Sequence, residues 1–160
     1  MGIILLWIFL ILGLILLNIA FKKQPLKNWL LCFLIAAYFV TILGDLVVKY
    51  ELLSYPVQLF PLFQSSVLYE YLLLPVMCVY YYQRTYRRGV FNWFWMALVY
   101  SSFLTAFEVL LERNTDLVHY ITWNWFYSLV SQFLLLLFIR WLMWLINDVA
   151  GKRESTNGSS

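Results

Sequence analysis

Three carboxylates stand inside apolar stretches where an exposed acid has no business: Asp45 in Ile-Leu-Gly-Asp-Leu-Val-Val, Glu70 in Val-Leu-Tyr-Glu-Tyr-Leu-Leu, and Glu108 in Thr-Ala-Phe-Glu-Val-Leu-Leu. A carboxylate in such surroundings can neutralise a cation or exchange a proton. Beside a second acid it can also divide into general acid and general base, because burial and mutual repulsion separate the two. His119, Trp123 and Asn124 follow at the start of a later apolar stretch. The oxygen ligands Asp45, Glu70 and Glu108 suit a proton, calcium, magnesium or manganese, and His119 would move the preference toward manganese, zinc or iron. The sequence holds no tight metal motif, nucleophile motif, phosphate-binding glycine loop or cofactor fingerprint.

The elements that must position these residues are membrane helices. Of 160 residues, 64% are hydrophobic and 12% charged, with a mean hydropathy of +0.79. A water-soluble domain is about half apolar and about a quarter charged, so the surplus must face lipid. Five stretches reach or approach the roughly 20 residues a span needs: 3–21, 29–48, 66–82, 90–111 and 119–139. The expected fold is all-α, one polytopic bundle of five transmembrane helices over residues 1–149. Residues 150–160 are a disordered inner tail, and the Asn157-Gly158-Ser159-Ser160 end also reads as a cloning remnant. The first stretch lacks a basic start and a small-residue cleavage site, so it is a retained helix and not a signal peptide. Pro75 predicts a kink in the third span.

Charge sets the direction. Lys22, Lys23, Lys27, Arg84, Arg87, Arg88, Arg140, Lys152 and Arg153 fall on one side of this layout, and only Lys49 and Arg113 on the other. Positive loops stay inside, which places the N-terminus outside and the C-terminus inside. Arg140, at the end of the fifth span, is expected to snorkel to the inner headgroups with Trp141 and Trp144 at the interface. The basic residues form short runs between apolar segments, which excludes a nucleic-acid footprint. Cys32 and Cys78 lie in apolar segments and read as buried free thiols.

On this topology Asp45, Glu70 and Glu108 each lie about one turn below the outer end of a different helix. Tyr38, Thr41, Asp45 and Lys49 form one stripe. Ser101, Thr105, Glu108 and Glu112 form a second, and Asn124, Ser128, Ser131 and Gln132 a third. Polar stripes within spans face a bundle interior. The expected site is an outward-facing acidic pocket of Asp45, Glu70, Glu108, His119 and Asn124, with Tyr38, Tyr69 and Trp123 among its aromatic walls. Its guest is a cation or a cationic amphiphile held by charge and cation–π contact. Residues 51–64, with Pro56 and Pro61, could fold over it as a lid or be a plain connector. The bland alternative is that these polar residues only join helices by hydrogen bonds of about 0.6–2 kcal/mol each. Two other functions fit the same residues: a membrane-embedded enzyme using paired carboxylates on a lipid-like substrate, and an accessory subunit that binds a membrane partner or its own copies.

The run Ile42-Leu43-Gly44-Asp45-Leu46-Val47, the acid at Glu108, and Tyr120 with Trp123-Asn124-Trp125-Phe126-Tyr127-Ser128 resemble a family of small, functionally uncharacterised multi-spanning proteins of spore-forming Gram-positive bacteria. The resemblance implies a bacterial plasma membrane and supplies no activity.

Overall fold

Runs of leucine, isoleucine, valine and phenylalanine with few helix breakers leave the backbone to satisfy its own hydrogen bonds, and helices result. The structure, a computed structural model, describes residues 2–54, 69–114 and 119–157. These residues form α1 (Gly2–Phe21), α2 (Leu26–Lys49), α3 (Leu74–Thr85), α4 (Val90–Asn114) and α5 (Trp125–Asn157). A π-helical turn at Tyr69–Leu73 leads into α3, and β1 (Leu53–Ser54) pairs antiparallel with β2 (His119–Tyr120). The described residues are therefore all-helical apart from one minimal ladder and short turns. Among the described residues, three helices are long and apolar enough to cross a membrane: α2, α4 and the 125–154 stretch of α5. Residues 6–21 of α1 form a shorter apolar helix by the same measure.

Pro75 sits in the first turn of α3 and cannot donate a backbone hydrogen bond. A π-helical turn, Tyr69–Leu73, lies just before it. The fifth helix departs from expectation at its start. Residues 119–124 are not helical. Ile121, Thr122 and Trp123 all donate their N–H groups to the carbonyl of Leu52, at 3.2, 3.3 and 3.1 Å, and α5 begins only after Asn124. It then runs well past Ile139, to Asn157.

Consecutive helices run in opposite directions, and cross-helix contacts define one common end. Gln83 Nε2 donates to Ala20 O at 2.9 Å, tying the end of α3 to the end of α1. Trp29, at the start of α2, lies edge-on to Tyr82 and Tyr86 at 5.3 Å each. Tyr81 Oη donates to Trp93 O at 3.0 Å, adding the start of α4. The core follows from these meetings: Trp29, Cys32, Ala36 and Val40 of α2, Cys78, Val79, Tyr81 and Tyr82 of α3, and Leu136, Ile139 and Met143 of α5 are buried together. Cys32 and Cys78 are both buried and free. The most extensive helix contacts are α4 on α5 and α2 on α3. Ile4, Trp7, Ile8, Ile11 and Ile15 of α1 stand exposed, a surface whose natural neighbour is lipid.

Candidate functional site

Two polar regions stand out. The first belongs to the sequence-predicted set. The α4 stripe and the α5 stripe face one another: Gln132 Nε2 donates to Glu108 Oε2 at 2.9 Å, and Thr105 Oγ1 donates to Gln132 Oε1 at 3.2 Å. Glu108 is only 5% exposed, and Ser101, Thr105, Ser128 and Gln132 are buried with it. Trp123 Nε1 donates to Ser128 Oγ at 2.7 Å, at the head of the same seam. Asn124 caps α5 through its carbonyl, which accepts from Tyr127 and Ser128 N–H, and its side chain is exposed.

The α2 stripe differs from the expectation that it faces the interior. Tyr38 is 65% exposed, Asp45 and Lys49 are exposed, and Thr41 Oγ1 turns back on Ala37 O at 2.7 Å. The opposite face, with small Cys32 and Ala36, packs closest to α3, and that contact turns the polar stripe outward. Tyr69 and Glu70 open the π-turn and His119 opens β2, but their side chains lie outside the described ones. The lid segment falls outside the description from residue 55 to 68. Its described beginning, Leu53–Ser54, is tied by the β1–β2 ladder to His119 and Tyr120. Among the described residues, no three His, Cys, Asp or Glu side chains are placed to hold a metal ion.

The second region was missed from the sequence and lies at the opposite end of the bundle. Arg140 does not snorkel. It is 5% exposed, with its guanidinium carbon 4.2 Å from the Trp93 ring centre and 5.1 Å from that of Tyr82. Its Nε donates to Thr85 Oγ1 at 3.1 Å and its Nη2 to Thr85 O at 3.2 Å. Thr85, fully buried, passes its own hydroxyl proton to Tyr81 O at 2.9 Å, so the hydroxyl oxygen is free to accept. Two hydrogen bonds and two aromatic faces replace the water a buried guanidinium loses. No carboxylate among the described residues pairs with it.

Arg140 lines a cleft of about 780 Å³ bounded by the α3–α4 turn and the flank of α5. Arg87, Arg88 and Gly89 form one wall, Trp93 and Tyr82 the floor, and Trp141, Trp144 and Asn147 the other wall. On α5, Arg140, Trp144 and Asn147 recur at steps of four and three and so share a face. Asn147 Nδ2 donates to Tyr82 Oη at 2.8 Å, fixing the floor. None of the residues lining this cleft is acidic. The arrangement can hold an anion: three arginines line the cleft beside indole rings, and no acid among the lining residues opposes them. The sequence signal that could have found it was the pairing of Arg87-Arg88-Gly89 with a tryptophan-flanked arginine at a matching depth. A scan against protein-family models finds no match for this chain, and neither curated proteins nor solved structures show significant similarity to it.

Proposed function

We propose that this is a five-span integral membrane protein of a bacterial plasma membrane, N-terminus outside and C-terminus inside, whose arginine–tryptophan cleft binds an anionic amphiphile at the inner surface. The excess of lysine and arginine at one end supports the orientation. The observation that carries the function is Arg140: a buried guanidinium, without a carboxylate partner among the described residues, lining a cleft that two further arginines share. An ionisable residue at membrane depth is by default functional, and basic pockets between helices on the inner side are where anionic headgroups bind. Trp141, Trp144 and Val90 are exposed beside it and give the ligand's hydrocarbon a place to lie.

The test is a thermal-stability titration of purified protein in zwitterionic micelles with short-chain phosphatidylglycerol or phosphatidylcholine. Stabilisation by the anionic lipid alone, reduced in Arg140→Lys, is the expected result. An equal response to both lipids removes this function.

A second function is favoured by the burial of Glu108. A carboxylate at the outer end of α4 could neutralise a cation or the ammonium of a cationic amphiphile. Stabilisation by calcium, manganese or tetraethylammonium that Glu108→Gln abolishes would support it. The same response in Glu108→Gln would sink it.

A further inference from the structure

The turn that joins α3 to α4 holds an arginine where its backbone calls for glycine. Tyr86 (φ −59, ψ 128) and Arg87 (φ 59) are the central residues of a type II turn, closed by Arg88 N–H donating to Thr85 O at 3.1 Å. The second central position of such a turn needs positive φ and is normally glycine or asparagine. A residue with a Cβ there is strained, and strain of this kind persists where the surroundings fix it and function uses it. The surroundings do fix it. Trp93 Nε1 donates to Arg88 O at 2.9 Å, and the Arg87 guanidinium lies 5.5 Å from the Tyr86 ring centre. The strained turn places Arg87 and Arg88 on the same cleft wall as Gly89.

The donors left on Arg140 say what the cleft expects. Thr85 occupies the edge formed by Nε and Nη2, and Trp93 and Tyr82 cover the faces. The outer edge, between Nη1 and Nη2, remains, and that fork matches two oxygens of one oxyanion. Arg140 is itself one of the residues that line the cleft. A singly charged phosphodiester would be neutralised by Arg140 alone. Arg87 and Arg88 stand beside it with no acid among the lining residues, and the N-terminal N–H groups of α4 open at Gly89 and Val90 with the same sign.

On the reading that the cleft holds an anionic amphiphile, we propose that the headgroup it selects is a phosphomonoester, a terminal phosphate carrying close to two negative charges, and that Arg87 is a residue that sets this preference. The terminal phosphate meets the outer fork of Arg140 with one pair of oxygens, and its second charge meets Arg87 and Arg88. The chain that bears it lies along Val90, Trp141 and Trp144.

Binding of dihexanoyl phosphatidic acid, phosphatidylglycerol and phosphatidylcholine, and of inorganic phosphate, to the full chain in zwitterionic micelles tests this, read by tryptophan fluorescence and calorimetry. Phosphatidic acid should bind about tenfold more tightly than phosphatidylglycerol at about pH 7.5, the equivalent of one charge-assisted hydrogen bond. The gap should close at about pH 5, below the second ionisation of a phosphomonoester near about 6. Arg87→Gly should remove most of the gap while the melting temperature holds or rises, because glycine suits the turn; loss of binding there cannot be blamed on misfolding. Equal binding of the two anionic lipids, both above phosphatidylcholine, overturns the phosphomonoester and leaves the anionic amphiphile standing. Equal binding of all three lipids overturns both. A gap unchanged in Arg87→Gly overturns the assigned role of that arginine. Inorganic phosphate binding as tightly as phosphatidic acid assigns the site to free phosphate and overturns a lipid headgroup.

Discussion

Arg140 and Thr85 are 55 residues apart in sequence, yet one edge of the guanidinium grips both oxygens of the threonine, hydroxyl at 3.1 Å and carbonyl at 3.2 Å. The same carbonyl accepts the Arg88 N–H that closes the α3–α4 turn. Helix α5, the last turn of α3 and the turn into α4 therefore share one carbonyl oxygen. The cleft is built on that junction, so its geometry and the stability of this end of the bundle are linked.

The first prediction concerns that link. Arg140→Met keeps the apolar stem and removes the donors, and should cost about 3 kcal/mol from two charged hydrogen bonds partly offset by relief of desolvation. Thr85→Val should cost about 1–2 kcal/mol. In the double variant the losses should fall short of additivity by about 1–2 kcal/mol, since both remove the same contact. Denaturant unfolding in micelles measures all three. Strict additivity would mean that the contact contributes nothing.

The second follows from backbone strain. A non-glycine residue in the left-handed region costs roughly 1–2 kcal/mol, while glycine loses about 0.5–1 kcal/mol more chain entropy on folding. Arg87→Gly should therefore stabilise the protein slightly, by up to about 1 kcal/mol, and Arg87→Ala should not. Comparing their unfolding midpoints separates relief of the turn from removal of the charge. An Arg87→Gly variant clearly less stable than Arg87→Ala would show that the turn is not strained.

How much of this was legible depended on how local the cause was. The bounds of α1, α2 and α4 are written in neighbouring residues, since Lys22, Lys23 and Lys27, and then Gln83 to Gly89, interrupt the apolar runs. The start of α5 was misplaced because Tyr120 and Ile121 look like the beginning of a span. What stops the helix there is Leu52 O, from a distant segment. Periodicity revealed that α2 carries a polar stripe but not which face packs. That choice fell to Cys32 and Ala36, which allow close approach to Cys78 and Val79. The α4 and α5 stripes meet at Glu108 and Gln132, while Asn124 and Ser131 of the α5 stripe stand exposed. Arg140 read as a snorkelling residue because its partners, Thr85 and Trp93, are contributed by other helices.

The third prediction tests the packing of α1. A Cβ at Gly13 would stand 2.7 Å from Leu72 Cδ2 and 2.9 Å from its Cγ, in the π-turn ahead of α3. The obstructing atoms belong to a flexible side chain, so Gly13→Ala should cost only about 1–2 kcal/mol. Gly13→Leu should prevent α1 from seating. Leu72→Ala should restore Gly13→Ala by making room for the methyl group. Protection of α1 amides from exchange is the direct measure, and an unchanged pattern in Gly13→Leu would place α1 elsewhere.

The fourth decides what Glu108 does. If its role is to join α4 to α5, its energy lies in the hydrogen bond from Gln132 and not in its charge. Glu108→Gln then keeps an acceptor for Gln132 Nε2 and should change stability by less than about 1 kcal/mol. Glu108→Leu takes the Glu108 acceptor away from that buried amide and should cost about 1–3 kcal/mol. Adding Gln132→Leu removes the amide as well, and Thr105 can turn its hydroxyl to the carbonyl one turn back within α4. The double variant should recover most of the loss, because replacing both partners of a buried pair by apolar groups is near neutral. A cation site behaves otherwise: Glu108→Gln would abolish cation-induced stabilisation while leaving the unliganded melting point in place. Melting curves for the three variants, with and without calcium or tetraethylammonium, separate the two roles. Recovery in the double variant together with no cation response in the native chain assigns Glu108 to the helix contact alone.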